Sequence, residues 1–254
     1  MARALVLTAL LGALAAEASA WPASLMEALH RDARRLVPRS LSRLLGERER
    51  EALEEVRRFP PELAQAMAAD LSAGALGPDT LAALDAEAGH AAELLRTGRV
   101  SEGLVRLGGL MRIPADLADP VLSRGPEGYP AGVVGEYYAF VTASLPKIPV
   151  VLDDASALQV ARAGLPAYWQ GLVERSRPQS GVIASELYKG GRLVDHRRLD
   201  YRSPVYGVAS LSYSRAVTAI AATWTAVWRD AQGDLTRVPK VLQVTPRAPA
   251  TEAP

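Results

Sequence analysis

The sequence predicts an all-α fold in which many helices form one domain. Residues 21–92 are rich in alanine, leucine, arginine and glutamate, which have high helix propensity. Apolar residues recur there at intervals of three or four, as they do on one face of a helix. Apolar residues make up 49% of the 254 positions, which is enough to bury a large core and argues against global disorder.

Composition excludes several functional classes. The chain has 29 lysines and arginines against 28 aspartates and glutamates, and this near-neutral balance argues against a nucleic-acid binder that relies on bulk charge. It has no cysteine, which excludes disulfide scaffolds, thiolate zinc sites, iron–sulfur clusters, cysteine nucleophiles and lipoprotein anchors. The three histidines are His30, His90 and His196, too few for a metal centre built mainly from imidazoles.

Residues 1–20 have the pattern of a secretory signal peptide. Arg3 supplies the positive start, an uncharged apolar run covers residues 4–16, and Ala18-Ser19-Ala20 is a small-x-small cleavage site. The run is shorter than the ~20 residues that a membrane span needs. We therefore expect a secreted or periplasmic protein that begins at Trp21 and has no transmembrane span after processing. An uncleaved anchor is the alternative.

The first half of the mature chain is predicted to be a series of helices separated by proline and glycine. The stripe formed by Leu25, Leu29, Ala33 and Leu36 is interrupted at Pro38. The next predicted segments are a charged helix over 47–58, a break at 59–61, a helix over 62–71, and a helix capped by Asp79 or Thr80 that continues through Leu95. A further helix over 101–111 contains Gly103, Gly108 and Gly109. Glycine costs about 1 kcal/mol within a helix, so these three predict a close approach to another helix.

The second half begins with a predicted loop over 123–135, which carries four glycines and two prolines. Predicted helices then cover 136–145, a segment capped by Asp153 or Asp154 that reaches Ala163, a segment opened by Pro166, and an apolar core helix over 210–230. Gly190-Gly191 predicts a small hairpin within 182–199. The predicted helical domain spans 21–245, and residues 246–254 form a Pro/Ala tail predicted to be disordered.

Several stretches, in this order, carry a resemblance to one family. They are Trp21 after the cleavage site, HRDARRLVPRSL from His30, LGGLMRIPADLADPVL with Asp116, GEYYAFV at 135–141, and SYSRAVTAIAATWTAVW near the end. This pattern resembles the bacterial zinc-dependent phospholipase C family and its relatives, the plant and fungal single-strand nucleases. The resemblance implies an all-α domain and zinc-dependent phosphoester hydrolysis. It also implies a metal held by the mature tryptophan terminus and a histidine of the first helix.

The sequence departs from that family at most of its metal ligands. Arg112 and Leu122 stand where the resemblance places histidines, the region of Glu136 has no His-x-x-x-Glu, and residues 59–70 contain no histidine. The resemblance therefore implies at most one zinc site, with Trp21, His30 and Asp116 as ligands and Asp116 as the catalytic residue. Zinc accepts nitrogen and oxygen ligands, and one bound zinc lowers the pKa of a water enough to attack an ester.

Each of these residues also has an ordinary structural interpretation. Trp21 would be an apolar anchor, His30 a core or surface histidine, and Asp116 a helix cap after Pro114. Arg112 and Asp116 are four residues apart and would pair on one helix face, so that a salt bridge replaces a lost metal. We expect His90 and His196 to face solvent.

Three functional hypotheses follow. The first is a phospholipase C/nuclease-like protein whose zinc-dependent hydrolysis is reduced or lost, so that the old cleft binds a phospholipid or another phosphoester. The second is an active single-zinc phosphodiester hydrolase of the phospholipase C type. The third is a structural or ligand-binding envelope protein. The number of available ligands favours the first.

Overall fold

A computed structural model describes residues 21–152 and 155–236 and confirms the all-α prediction. The helices are α1 (Ala23–Arg34), α2 (Arg39–Glu47), α3 (Glu49–Arg57), α4 (Pro61–Ala73), α5 (Pro78–Arg96), α6 (Val100–Gly109), α7 (Arg112–Leu117), α8 (Val133–Ser144), α9 (Ala155–Ser176), α10 (Ser180–Leu187) and α11 (Pro204–Asp230). Short 3-10 turns lie at Pro126–Gly128, Leu145–Lys147, Arg177–Gln179 and His196–Arg198.

Helix α11 forms the centre of the fold. It packs against α1, α5, α7, α8, α9 and α10. All positions from 216 to 224 are buried, so this stretch of the helix is covered around its whole circumference. It begins at Pro204, six residues before the predicted start, because the Ser203 hydroxyl accepts a hydrogen bond from the backbone N–H of Tyr206 and caps it.

The glycines of α6 allow the predicted close approach: Gly108 and Gly109 face α3, and Gly103 faces Leu95 on α5. A Cβ on Gly108 would lie 2.4 Å from the Cβ of Ala52, and one on Gly109 would lie 2.6 Å from the Cγ of Glu55. Those distances are too short for real atoms, so only glycine permits this spacing. The contact also explains why the next turn, which carries Arg112, lies against α3.

The predicted break between Ala163 and Pro166 is a kink within one helix, and the predicted hairpin is confirmed. Helix α9 is bent at Gly164, whose φ is +76°, just before Pro166. The hairpin pairs β1 (Tyr188–Lys189) with β2 (Arg192–Leu193) around Gly190-Gly191. It is shorter than the predicted 182–199 region, because residues 180–187 continue as helix α10.

Three predictions lie outside the described residues: the signal peptide over 1–20, the capping role of Asp153 or Asp154, and the disordered tail over 246–254. Within residues 21–152 and 155–236, no helix is both long enough and apolar enough to cross a bilayer.

Candidate functional site

Trp21 lies inside the protein, next to the segment that carries Asp116. The side chain is 1% exposed, and its indole Nε1 donates a hydrogen bond of 2.9 Å to the carbonyl oxygen of Ala115. Its ring centroid lies 6.1 Å from that of Tyr138 on α8. The resemblance implies one site for Trp21 and Asp116, and the Trp21 indole bonds to the residue next to Asp116.

Asp116 forms an ion pair with Arg112 inside the protein. The Arg112 Nε donates to Asp116 Oδ2 at 3.3 Å, and both side chains are buried. Arg112 Nη1 also donates to the carbonyl of Val56 on α3, and its guanidinium lies 5.4 Å from the centre of the Phe59 ring. The predicted i, i+4 pairing is confirmed.

The alternative prediction, that Asp116 caps a helix after Pro114, is wrong. Helix α7 begins at Arg112, two residues before the proline, so Asp116 lies within the helix. The backbone of Gly109 to Met111 turns tightly enough for the chain to re-enter a helix before Pro114, which then occupies an early position where its missing N–H is tolerated.

His30 is fully buried on α1 and keeps its imidazole neutral. Neither ring nitrogen has a hydrogen-bond partner among the described residues, and the nearest carboxylate oxygen is that of Glu49, 3.8 Å from Nδ1. Burial, together with the positive charge of Arg34, lowers the pKa of His30 to about 4. The ring also contacts the Trp224 ring edge-on, with 5.2 Å between centroids.

Glu49, beside His30, lines an open surface groove. The groove has a volume of about 630 Å³, and Glu27, Glu47 and Glu51 also line it. His30 thus contacts Glu49 on α3 and Trp224 on α11, whereas Trp21 contacts Ala115 on α7 and Tyr138 on α8.

Asp119 is a buried acidic residue that the sequence analysis missed. It accepts a hydrogen bond of 2.7 Å from the Tyr138 hydroxyl on one oxygen and one of 2.8 Å from the backbone N–H of Val121 on the other. Burial raises the pKa of Asp119 to about 7, and the nearby Asp116 charge adds to this effect. The available signal was a second aspartate, three residues after Asp116, in an otherwise apolar stretch.

His196 was predicted to face solvent, and the structure shows it half-buried against α8. Its Nδ1 lies 2.7 Å from Glu136 Oε2, and its side chain is 23% exposed. The hairpin folds the 196–198 turn back onto α8, and the sequence pattern did not reveal that long-range contact. The prediction for His90 is confirmed, since that residue is exposed on α5.

The residues of the predicted zinc site do not fit a catalytic zinc. Such a site needs about three protein ligands and an open position for water. The Asp116 carboxylate is already neutralised by a buried guanidinium, and a second cation at that place would meet the charge of Arg112. The neutral His30 imidazole offers one nitrogen lone pair, and neither ring nitrogen has a hydrogen-bond partner among the described residues.

The chain was compared with known proteins in three ways. No protein-family model, no curated protein and no solved structure matches it.

Proposed function

We propose that this chain is an exported, phospholipase C/nuclease-like scaffold in which a buried salt bridge stands in place of the metal centre. One observation carries the proposal. The Arg112–Asp116 ion pair lies where the resemblance expects metal ligands, next to the carbonyl that accepts the Trp21 indole hydrogen bond. A guanidinium satisfies a buried carboxylate as a metal ion would, but it activates no water.

The substitution at Arg112 explains how the scaffold keeps its shape without metal. Removing a cation from beside a buried carboxylate leaves an uncompensated charge, which costs several kcal/mol. Arg112 supplies that positive charge and also ties α7 to α3 through the Val56 carbonyl. We further propose that the scaffold holds a phospholipid or another phosphoester ligand, or an envelope partner, without hydrolysing it.

An active single-zinc hydrolase is the second candidate, and one observation favours it. The His30 imidazole is buried without a hydrogen-bond partner among the described residues, 3.8 Å from a carboxylate that lines a groove. An unsatisfied buried nitrogen is costly, and a metal ion that takes the lone pair of the unprotonated ring nitrogen would offset part of that cost.

Zinc analysis and phosphodiesterase assays of the chain beginning at Trp21 separate the two candidates. We would measure bound zinc per chain, and hydrolysis of bis(p-nitrophenyl) phosphate and of phosphatidylcholine vesicles with added zinc. The variants are His30→Ala and Asp116→Asn, with His90→Ala as the control for loss of an exposed imidazole. The scaffold proposal predicts no hydrolysis in any form of the protein. Zinc-dependent turnover that disappears in His30→Ala and Asp116→Asn but persists in His90→Ala would refute it in favour of the hydrolase.

A further inference from the structure

Three potential metal ligands lie close together beside the hairpin. None of them belongs to the predicted zinc site. Glu136 on α8 and Asp195 and His196 beside the hairpin each offer one donor atom, and these atoms all lie within 4.8 Å of one another. His196 Nδ1 is 2.7 Å from Glu136 Oε2 and 3.6 Å from Asp195 Oδ1. We propose that these three residues bind one divalent transition-metal ion, with zinc as the best-suited ion.

The backbone holds the three donors in place before any ion arrives. The backbone N–H of His196 donates to Glu136 Oε2 at 2.7 Å, and the N–H of Val194 donates to the carbonyl of Leu187 at 2.9 Å. Leu193 packs so closely on Gly132 that a Cβ there would lie 2.7 Å from its Cδ2. The hairpin is thereby fixed against the start of α8, and little ordering entropy remains to be lost on binding.

The spacing of the donors suits zinc after a small adjustment. Zinc bonds of about 2.0–2.2 Å place neighbouring ligand atoms roughly 3–3.5 Å apart. The separation between His196 Nδ1 and Asp195 Oδ1 is close to that range, whereas His196 Nδ1 and Glu136 Oε2 must move apart by a few tenths of an ångström. Their present contact is a hydrogen bond, and a zinc ion between the two atoms would replace it.

The hydrogen bonds around the carboxylates also suit a cation. The backbone N–H of His196 donates to Glu136 Oε2 and the backbone N–H of Arg197 donates to Asp195 Oδ1, so both carboxylate oxygens are held in place. An imidazole that carries its proton on Nε2 presents the Nδ1 lone pair to a metal.

Ligand type and nearby charge set the expected selectivity and strength. One imidazole and two carboxylates suit zinc and its first-row neighbours, whereas magnesium prefers an all-oxygen shell. The side chains of Glu136, Asp195 and His196 are 26%, 51% and 23% exposed, which leaves room for water as a further ligand. The positive charges of Arg197 and Arg198 act on Asp195, so we expect micromolar rather than nanomolar affinity.

Isothermal titration calorimetry tests the site, with zinc chloride titrated into the chain that begins at Trp21. We expect one saturable zinc per chain, weakened about tenfold or more in His196→Ala and in Glu136→Gln. The control variant His90→Ala removes an imidazole on α5 and should bind zinc as the wild type does. Thermal unfolding gives a second readout: zinc should raise the Tm of the wild type and of His90→Ala, but not that of His196→Ala.

Several outcomes would overturn the proposal. They are the absence of saturable zinc binding, binding that persists unchanged in His196→Ala and Glu136→Gln, and binding that is lost only in His30→Ala. The last result would assign the metal to the predicted site and contradict the scaffold proposal as well. Zinc binding here without phosphodiester hydrolysis would support this proposal and leave the scaffold proposal intact, so the two fail separately.

Discussion

The indole of Trp21 donates a 2.9 Å hydrogen bond to the carbonyl of Ala115, 94 residues further along the chain. This contact ties the first described residue to the helix that carries the Arg112–Asp116 pair. Because both groups are buried, the bond forms in a region from which water is excluded, and its loss leaves a polar group without its partner.

We expect Trp21→Phe to lower the free energy of unfolding by about 1 kcal/mol or more, because it removes the donor to the Ala115 carbonyl. Urea unfolding, followed by circular dichroism, measures this. The matched control is Trp228→Phe, which removes an indole donor that bonds to the Asp234 carbonyl at an exposed site. Equal losses of unfolding free energy in the two variants would show that the buried hydrogen bond stabilises the protein no more than the exposed one.

Arg112→Leu should destabilise the protein by about 3 kcal/mol or more, because Asp116 would lose its guanidinium partner inside the protein. Arg99→Leu is the control, since it breaks an exposed pair with Glu102 and should cost less than about 1 kcal/mol. The double variant Arg112→Leu/Asp116→Leu should recover most of the loss. A double variant as unstable as Arg112→Leu alone would mean that packing, not the unpaired charge, causes the effect.

The buried His30 makes stability depend on pH. Its pKa falls from 6.5 to about 4 on folding, so below pH 6.5 the unfolded chain takes up a proton that the folded protein does not. The His30 contribution is therefore complete above pH 6.5 and is lost as pH falls towards 4, by about 3 kcal/mol. The free energy of unfolding of the wild type minus that of His30→Leu should rise by this amount from pH 4 to 7. His90→Leu should leave the pH dependence of the free energy of unfolding as it is in the wild type. A wild-type minus His30→Leu difference that does not change with pH would contradict the prediction.

Asp119 acts in the opposite direction. Its pKa rises from 3.8 to about 7 on folding, so the folded protein holds a proton that the unfolded chain releases. This contribution to the free energy of unfolding, about 4 kcal/mol, is complete below pH 3.8 and is lost as the pH rises through 7. Asp119→Asn should remove that loss, and unfolding titrations at pH 4 to 8 measure it. The exposed Asp85→Asn is the control. A wild-type profile that Asp119→Asn does not alter would exclude Asp119 as the titrating group.

The α3–α6 contact predicts opposite effects for two glycine substitutions. Gly108→Ala should destabilise by about 1–3 kcal/mol, since its Cβ would overlap that of Ala52 and push the helices apart. Gly135→Ala lies in α8, where a Cβ would meet no described atom within 4 Å, and should stabilise by up to about 1 kcal/mol through helix propensity. Thermal unfolding compares the two, and equal stabilisation by both would contradict the close approach.

The sequence determined the local structure of this protein. Apolar periodicity placed the helices, the glycines of α6 indicated a tight helix pair, and the spacing of Arg112 and Asp116 predicted their ion pair. These features depend on neighbours within a few residues, whose geometry in a helix is known in advance. The same reasoning separated two helical segments between Ala163 and Pro166, where the structure has the kink at Gly164, and located the turn at Gly190-Gly191.

Only the tertiary structure decided which distant residues meet. It placed the Trp21 indole on Ala115, buried Asp119 under Tyr138, and brought His196 to Glu136 across the hairpin. Each of these contacts depends on how separate helices pack around α11, and no short-range pattern encodes that arrangement. Packing also set the ionisation of His30 and Asp119, because burial, and not residue type, shifted the pKa values of both groups.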